Sequence, residues 1–189
     1  MKKIIFALLL TASMHAANAQ TWKVDKSNTR LGFSAVHLLI SEVHGSFTNF
    51  DLKLSSSRED FTDAQIDLSA DVASISTNSE MRDKNLRSPY YFDAEKFPRM
   101  TFRSESLKKV EGKKYKLQGI FTVHGVSKPI TLDVTFNGLA VSPANQMTVA
   151  GFKITGAIKR TDFKIGEESV GVSDEIKIDV DAEFFKIPN

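Results

Sequence analysis

The chain has 189 residues, with 25 Lys+Arg against 23 Asp+Glu, four His and no Cys, enough for one domain with a substantial core. The lack of cysteine excludes a disulfide framework, a thiolate metal site, a cysteine nucleophile and a lipoprotein anchor. Apolar (41%) and charged (25%) fractions are those of a globular protein, but Phe stands at 14 against three Tyr and one Trp, an aromatic surface without polar handles that suits a packed core or an apolar site.

Met1-Lys2-Lys3 is a short basic start, Ile4 to Leu10 is a continuous apolar run, and Ala17-Asn18-Ala19 is a small-x-small pattern. Together they predict a secretory signal peptide over 1–19, cleaved after Ala19, and a periplasmic or secreted domain over 20–189. The apolar run falls short of the roughly 20 residues a bilayer span needs, so the chain is not expected to span a membrane. Loss of Lys2 and Lys3 leaves acids and bases balanced. Such a chain has no electrostatic footprint for nucleic acid and no polybasic face for anionic lipid.

From there the chain reads as strands. A short one covers Thr21 to Val24; the next covers 29–37, with Leu31, Phe33, Ala35 and His37 on one face. In 43–54, Val43, Gly45 and Phe47 share one parity while Phe50, Leu52 and Leu54 share the other. That slip near Thr48-Asn49 predicts a bulge within one bent strand. Ile66, Leu68, Ala70 and Val72 resume the alternation, and Thr77-Asn78-Ser79-Glu80 is a capping box that predicts one helix over 78–87, closed by Ser88-Pro89. Residues 100–107 form a weaker strand. Alternation then runs through Tyr115–Val123, Ile130–Phe136, Phe152–Ile158 and Ile176–Phe184. Glu111-Gly112-Lys113 and Gly125 to Pro129 read as hairpin connections, Asn137-Gly138 and Ser142-Pro143 as turns of a later crossing.

Eight or nine strands, each with one dry face, predict an all-β antiparallel fold. A sandwich and a closed barrel both satisfy the pattern; the bulge and the mid-strand glycines favour a barrel of about eight strands.

Candidate chemistry is sparse. His37, His44 and His124 supply the number of ligands for a zinc site but lack the i,i+2 or i,i+4 spacing of one, so no metal is expected. Arg82-Asp83 and Arg160/Asp162 read as structural ion pairs. No G-x-S-x-G elbow, dinucleotide fingerprint or P-loop occurs, and Glu59-Asp60 and Glu167-Glu168 read as solvated loop charge. No enzyme and no cofactor is expected. The dry-face parity instead gathers Phe33, Phe47, Phe50, Ile66 and Leu68 with Phe102, Phe121, Val134 and Phe136 on the inside. Leu86 on the helix should cover part of that interior, and Arg82 or His37 should be its polar contact. Composition alone leaves open whether such an interior is solid or hollow.

Several spaced motifs then carry a resemblance: DKSN (25–28), FSAVHLLISEVHGSFTNFD (33–51), STNSEMRDKNLRSPYYFDAEKFPRMTFRS (76–104), YKLQGIFTVHGVSKPITL (115–132) and RTDF (160–163). In this order the chain resembles the YceI-like family of exported, lipocalin-like proteins over almost its whole length after residue 20. The resemblance implies an extended eight-stranded barrel with a helix packed at it. It also implies a long-chain isoprenoid or quinone-like lipid held in an apolar tunnel for carriage, storage or sequestration. A solid-core, partner-binding domain without lipid is the rival expectation, and homodimerisation stays open. Two departures stand out: Lys164 where many members have Gly, and His124 where Asn is frequent.

Overall fold

The computed structural model describes residues 20–188, so the leader expected over 1–19 lies outside the described residues. The elements are β1 (Gln20–Val24), β2 (Arg30–His37), β3 (Ser41–Phe47), β4 (Phe50–Ser56), β5 (Gln65–Asp71) and β6 (Ile75–Ser76). They continue with α1 (Glu80–Arg87), β7 (Arg99–Glu111), β8 (Lys114–Val123), β9 (Val126–Val141), β10 (Thr148–Lys159) and β11 (Val172–Lys186). The strands pair antiparallel in the order β1-β4-β5-β7-β8-β9-β10-β11, and β1 pairs again with β11. Eight strands therefore close into the expected barrel and not into a sandwich.

The closure is lopsided. Only the end of β11, Phe184 to Lys186, meets β1, while Val172 to Asp181 pairs with β2. From β2 the sheet continues through β3 to β6. One strand thus belongs to a narrow ring at one end and to an additional three-stranded wall at the other.

Three local expectations need correction. The segment 43–54 is not one bulged strand: β3 pairs with β2 and β6, whereas β4 pairs with β1 and β5. The parity slip marks a corner at which the chain changes neighbours while Phe47 and Phe50 both stay buried. Ser74 holds that corner, its carbonyl accepting from the Thr48 amide and its hydroxyl from the Asn49 amide.

The helix begins at Glu80, not 78, and Ser79 at its N-cap makes no side-chain capping bond. Asn78 sits at φ +60°, which turns Thr77 out of the capping position. The Thr77 amide and hydroxyl instead donate to buried Asp83, at 2.8 and 2.6 Å.

Turns differ as well. The hairpin between β8 and β9 is only His124-Gly125, both at positive φ, the backbone a tight hairpin requires. Asn137-Gly138 lies within β9, beside a register shift at Gly151/Phe152; the turn to β10 comes at 142–147.

Candidate functional site

Direct cross-strand neighbours build the interior. Leu52, Leu68, Phe102 and Phe121 form one row across β4, β5, β7 and β8. A second row runs Tyr115, Val134, Ile154, Val180, Leu31, Phe47 and Ile75, through β8 to β11 and on into the extra wall. Side chains two residues apart on each strand repeat these rows along the barrel axis.

The interior is hollow. A cavity of about 490 Å³ is lined from nearly every wall of the barrel, and along β11 from Val172 to Phe184. That stretch of strand is about 40 Å at roughly 3.3 Å per residue, or about 30 Å along the axis of a tilted barrel.

One end is plugged. The loop between β4 and β5 folds Phe61 inward to 1% exposure. Its ring centroid lies 5.2 Å from that of Trp22 and 5.1 Å from those of Phe136 and Phe152. The Tyr115 hydroxyl donates to the Asp60 carbonyl at 2.9 Å. Asp63 organises the loop, accepting from the Ser56 and Ser57 hydroxyls and from the Ser57 and Arg58 amides. Partial burial pushes its carboxyl up, but these four donors prevail and hold it well below the usual carboxylate range.

The other end is covered by α1 and the turn after it. Leu86, Tyr91 and Phe92 face the cavity, and Phe92 meets Phe47 edge-on at 6.0 Å. The helix is tied down through Thr77, which also receives Arg82 Nε at 2.7 Å while its carbonyl receives Nη2 at 2.8 Å. The polar side chains of the lining, His37, Thr77, Arg82, Asn85, Tyr91, Arg160 and Ser169, belong to this end.

Of the residues expected to line the interior, Phe33, Phe47, Ile66, Leu68, Phe102, Phe121 and Val134 do so, with Leu86, Arg82 and His37. Phe50 and Phe136 do not. Phe50 is buried where Lys26 stacks over its ring, and Phe136 is taken up by the plug with Phe61 and Phe152. Inward parity puts a side chain inside the barrel but does not say at what height the space is filled.

The expected Arg160–Asp162 pair does not form. Asp162 bonds Lys128 at 2.7 Å, and Arg160 donates to the carbonyls of Ser173, Ile165 and Val172. It clamps the loop before β11. Arg82 and Asp83 likewise both turn to Thr77. No group of three side chains among the described residues is arranged to hold a metal ion; His124 packs on Phe97 and His44 lies beside Glu42.

Ile154, Ile158, Ile178 and Val180 also line the cavity, and their alternation was the available signal. Tyr91, Phe92 and Ile165 arrive from irregular segments in which no periodicity marks them.

Residues 22–184 match the family described as YceI-like domain. The chain belongs to the YceI-like family. It is 37% identical to UPF0312 protein plu2095 of Photorhabdus laumondii, over 83% of this chain and 81% of that protein. It is 31% identical to Protein YceI of Salmonella newport over 97% of each. A solved YceI protein of Campylobacter jejuni, a mutant form, aligns with TM-score 0.73 and 31% identity, over 81% and 90% of the two chains. BcnA of Burkholderia cenocepacia shares the fold at TM-score 0.77 and 22% identity, over 85% and 99%. So does a polyisoprenoid binding domain of Saccharophagus degradans, at TM-score 0.65 and 15% identity, over 89% and 99%. Both departures from the family pattern fall on left-handed backbone, Lys164 at φ +58° and His124 at φ +50°, where Gly and Asn are the favoured residues.

Proposed function

We propose that this YceI-like protein is a non-enzymatic binding protein that holds one long isoprenoid chain in its barrel, with the headgroup at the polar end. The observation that carries this reading is the cavity: elongated, apolar along its walls, plugged by Phe61, and polar only where α1 and the loop before β11 meet. Each CH₂ buried there contributes about 0.8 kcal/mol, so a long chain needs few polar contacts. The fold shared with a domain described as polyisoprenoid binding agrees with this reading. Arg82, His37, Asn85 and Ser169 are the groups able to meet a quinone-like or other oxygen-bearing headgroup. A leader over 1–19 would place the protein outside the cytoplasm, where a lipid nearly insoluble in water needs a carrier between membranes.

The experiment is mass spectrometry of organic extracts from protein purified without detergent out of its own host. A prenyl lipid in stoichiometric amount is expected. A folded protein that yields none, and takes up neither a polyprenol nor a quinone offered to it, would be a partner-binding domain whose cavity holds no lipid. Phe121→Asp, which puts a carboxylate against the ligand chain, should abolish retention.

A further inference from the structure

Three segments border the polar end of the cavity, and each carries large apolar side chains into solvent. The β2–β3 turn exposes Leu38, Leu39 (79%) and Ile40 (83%) directly after cavity-lining His37. Val170 is 84% exposed between Ser169 and Gly171, both of which line the cavity. Met81, 85% exposed, precedes Arg82. The Leu38 amide donates to the Gly171 carbonyl at 3.1 Å, which joins the first two segments into one lip.

The β2–β3 turn is unusual in its backbone. Ile40 N–H closes it onto the His37 carbonyl, and its two central residues are leucines at φ +49° and +62°. Gly and Asn are the residues suited to these positions. Leucines here cost stability through strain, and their exposed side chains recover none of it by burial. Backbone strain of this kind points to a use.

We infer that this lip docks the barrel onto a bilayer surface made of zwitterionic lipid with ammonium headgroups, so that the cavity loads and unloads without its lipid crossing water. The inference rests on the lipid-binding reading above. Charge selects the occupant. Glu42, near Ile40, is already paired with Lys177, whereas between Lys164 and Lys177 residues 165–176 hold Glu167, Glu168, Asp174 and Glu175 and neither Lys nor Arg. These carboxylates favour ammonium groups and repel a strongly anionic surface. In a two-fold contact between copies, the same carboxylates would face one another. The apolar lip is continuous with the cavity lining, so a docked surface and a bound chain share one dry path.

The test is sedimentation of the purified protein with vesicles of phosphatidylethanolamine and phosphatidylcholine in equal parts, and with phosphatidylglycerol vesicles. Uptake of geranylgeraniol from cyclodextrin is measured in parallel. The wild type should sediment with the first vesicles and weakly with the second. Leu39→Asp with Ile40→Asp should reduce sedimentation by about tenfold or more, while geranylgeraniol uptake in solution persists. Leu139→Asp with Val141→Asp, at exposed positions on β9 beyond the plug, should change neither. Leu39→Asn should raise the melting temperature while weakening sedimentation, an outcome a purely structural turn would not give.

Uptake of geranylgeraniol without lip-dependent sedimentation overturns the docking and spares the proposed function. Lip-dependent sedimentation without uptake supports the docking and overturns the function. A dimer in solution that Leu39→Asp with Ile40→Asp dissociates, with no vesicle binding, shows that a second copy covers the lip and overturns the inference.

Discussion

Phe61 and Phe33 show how one residue type takes two roles in the same barrel. Phe61 is in contact with three aromatic rings, so Phe61→Ala leaves a cavity and should cost about 3–5 kcal/mol. Phe33 packs on Phe47 and over Gly45 but also borders open space, and Phe33→Ala should cost less, about 1–2 kcal/mol, because fewer packed neighbours lose contacts. Urea denaturation at constant m compares the two; equal losses would mean that the cavity collapses around a tail-free protein. At Lys164, left-handed backbone meets a residue with a Cβ, so Lys164→Gly should stabilise by about 0.5–1 kcal/mol in the same assay. Asp63 adds a pH dependence. Its folded-state carboxyl lies below the ordinary value of 3.8. Its hydrogen bonds therefore contribute fully above that value, and the contribution fades as pH falls below it. The stability gap between wild type and Asp63→Asn should be flat from neutral pH to about 5 and narrow below about 4. A gap that widens on acidification would contradict the assigned network.

At the scale of elements, α1 is too short to be stable on its own; isolated helices under about 12–15 residues are marginal in water. Its position depends on Asp83, whose carboxylate accepts the Thr77 amide and hydroxyl beneath the helix. Asp83→Ala leaves the buried Thr77 donors without that acceptor, which should cost about 1–3 kcal/mol. The helix should then fray first, visible as faster amide exchange at Lys84 to Arg87, and bound lipid should leave faster with little change in the barrel strands. The glycine in β3 serves a related end. Phe33 faces Gly45 across the β2–β3 pair, and a Cβ on Gly45 would clash with the Phe33 ring, well inside van der Waals contact. Gly45→Ala should therefore displace that ring and shorten the longest prenol the protein accepts, as competition among prenols of graded length would show.

Over the whole molecule, closure is asymmetric, and that asymmetry makes a container from a sheet. The short β1 seals the plugged end through both β4 and β11, while the longer half of β11 turns to β2 and opens the other end. A uniform eight-stranded ring has room for its own side chains or for one small ligand; the extra wall of β2, β3 and β6 widens one end.

The sequence by itself determined the all-β class, the strands at nearly all positions, the single helix and most of the inward rows, because alternation and turn chemistry are local properties of two to ten residues. It showed Phe33, Phe102 and Phe121 as inward in the same way. Tertiary structure alone decided that residues 43–54 are two strands with different partners, since a parity slip looks the same at a bulge and at a corner. It also decided that Phe136 belongs to the plug and Phe121 to the cavity. Parity gives the face of a strand, whereas height along the barrel depends on register between strands far apart in the chain and on where the loop carrying Phe61 folds in. The clamp of Arg160 on three carbonyls and the lid of Tyr91 and Phe92 were invisible for the same reason: both come from irregular segments, placed by contacts rather than by any period.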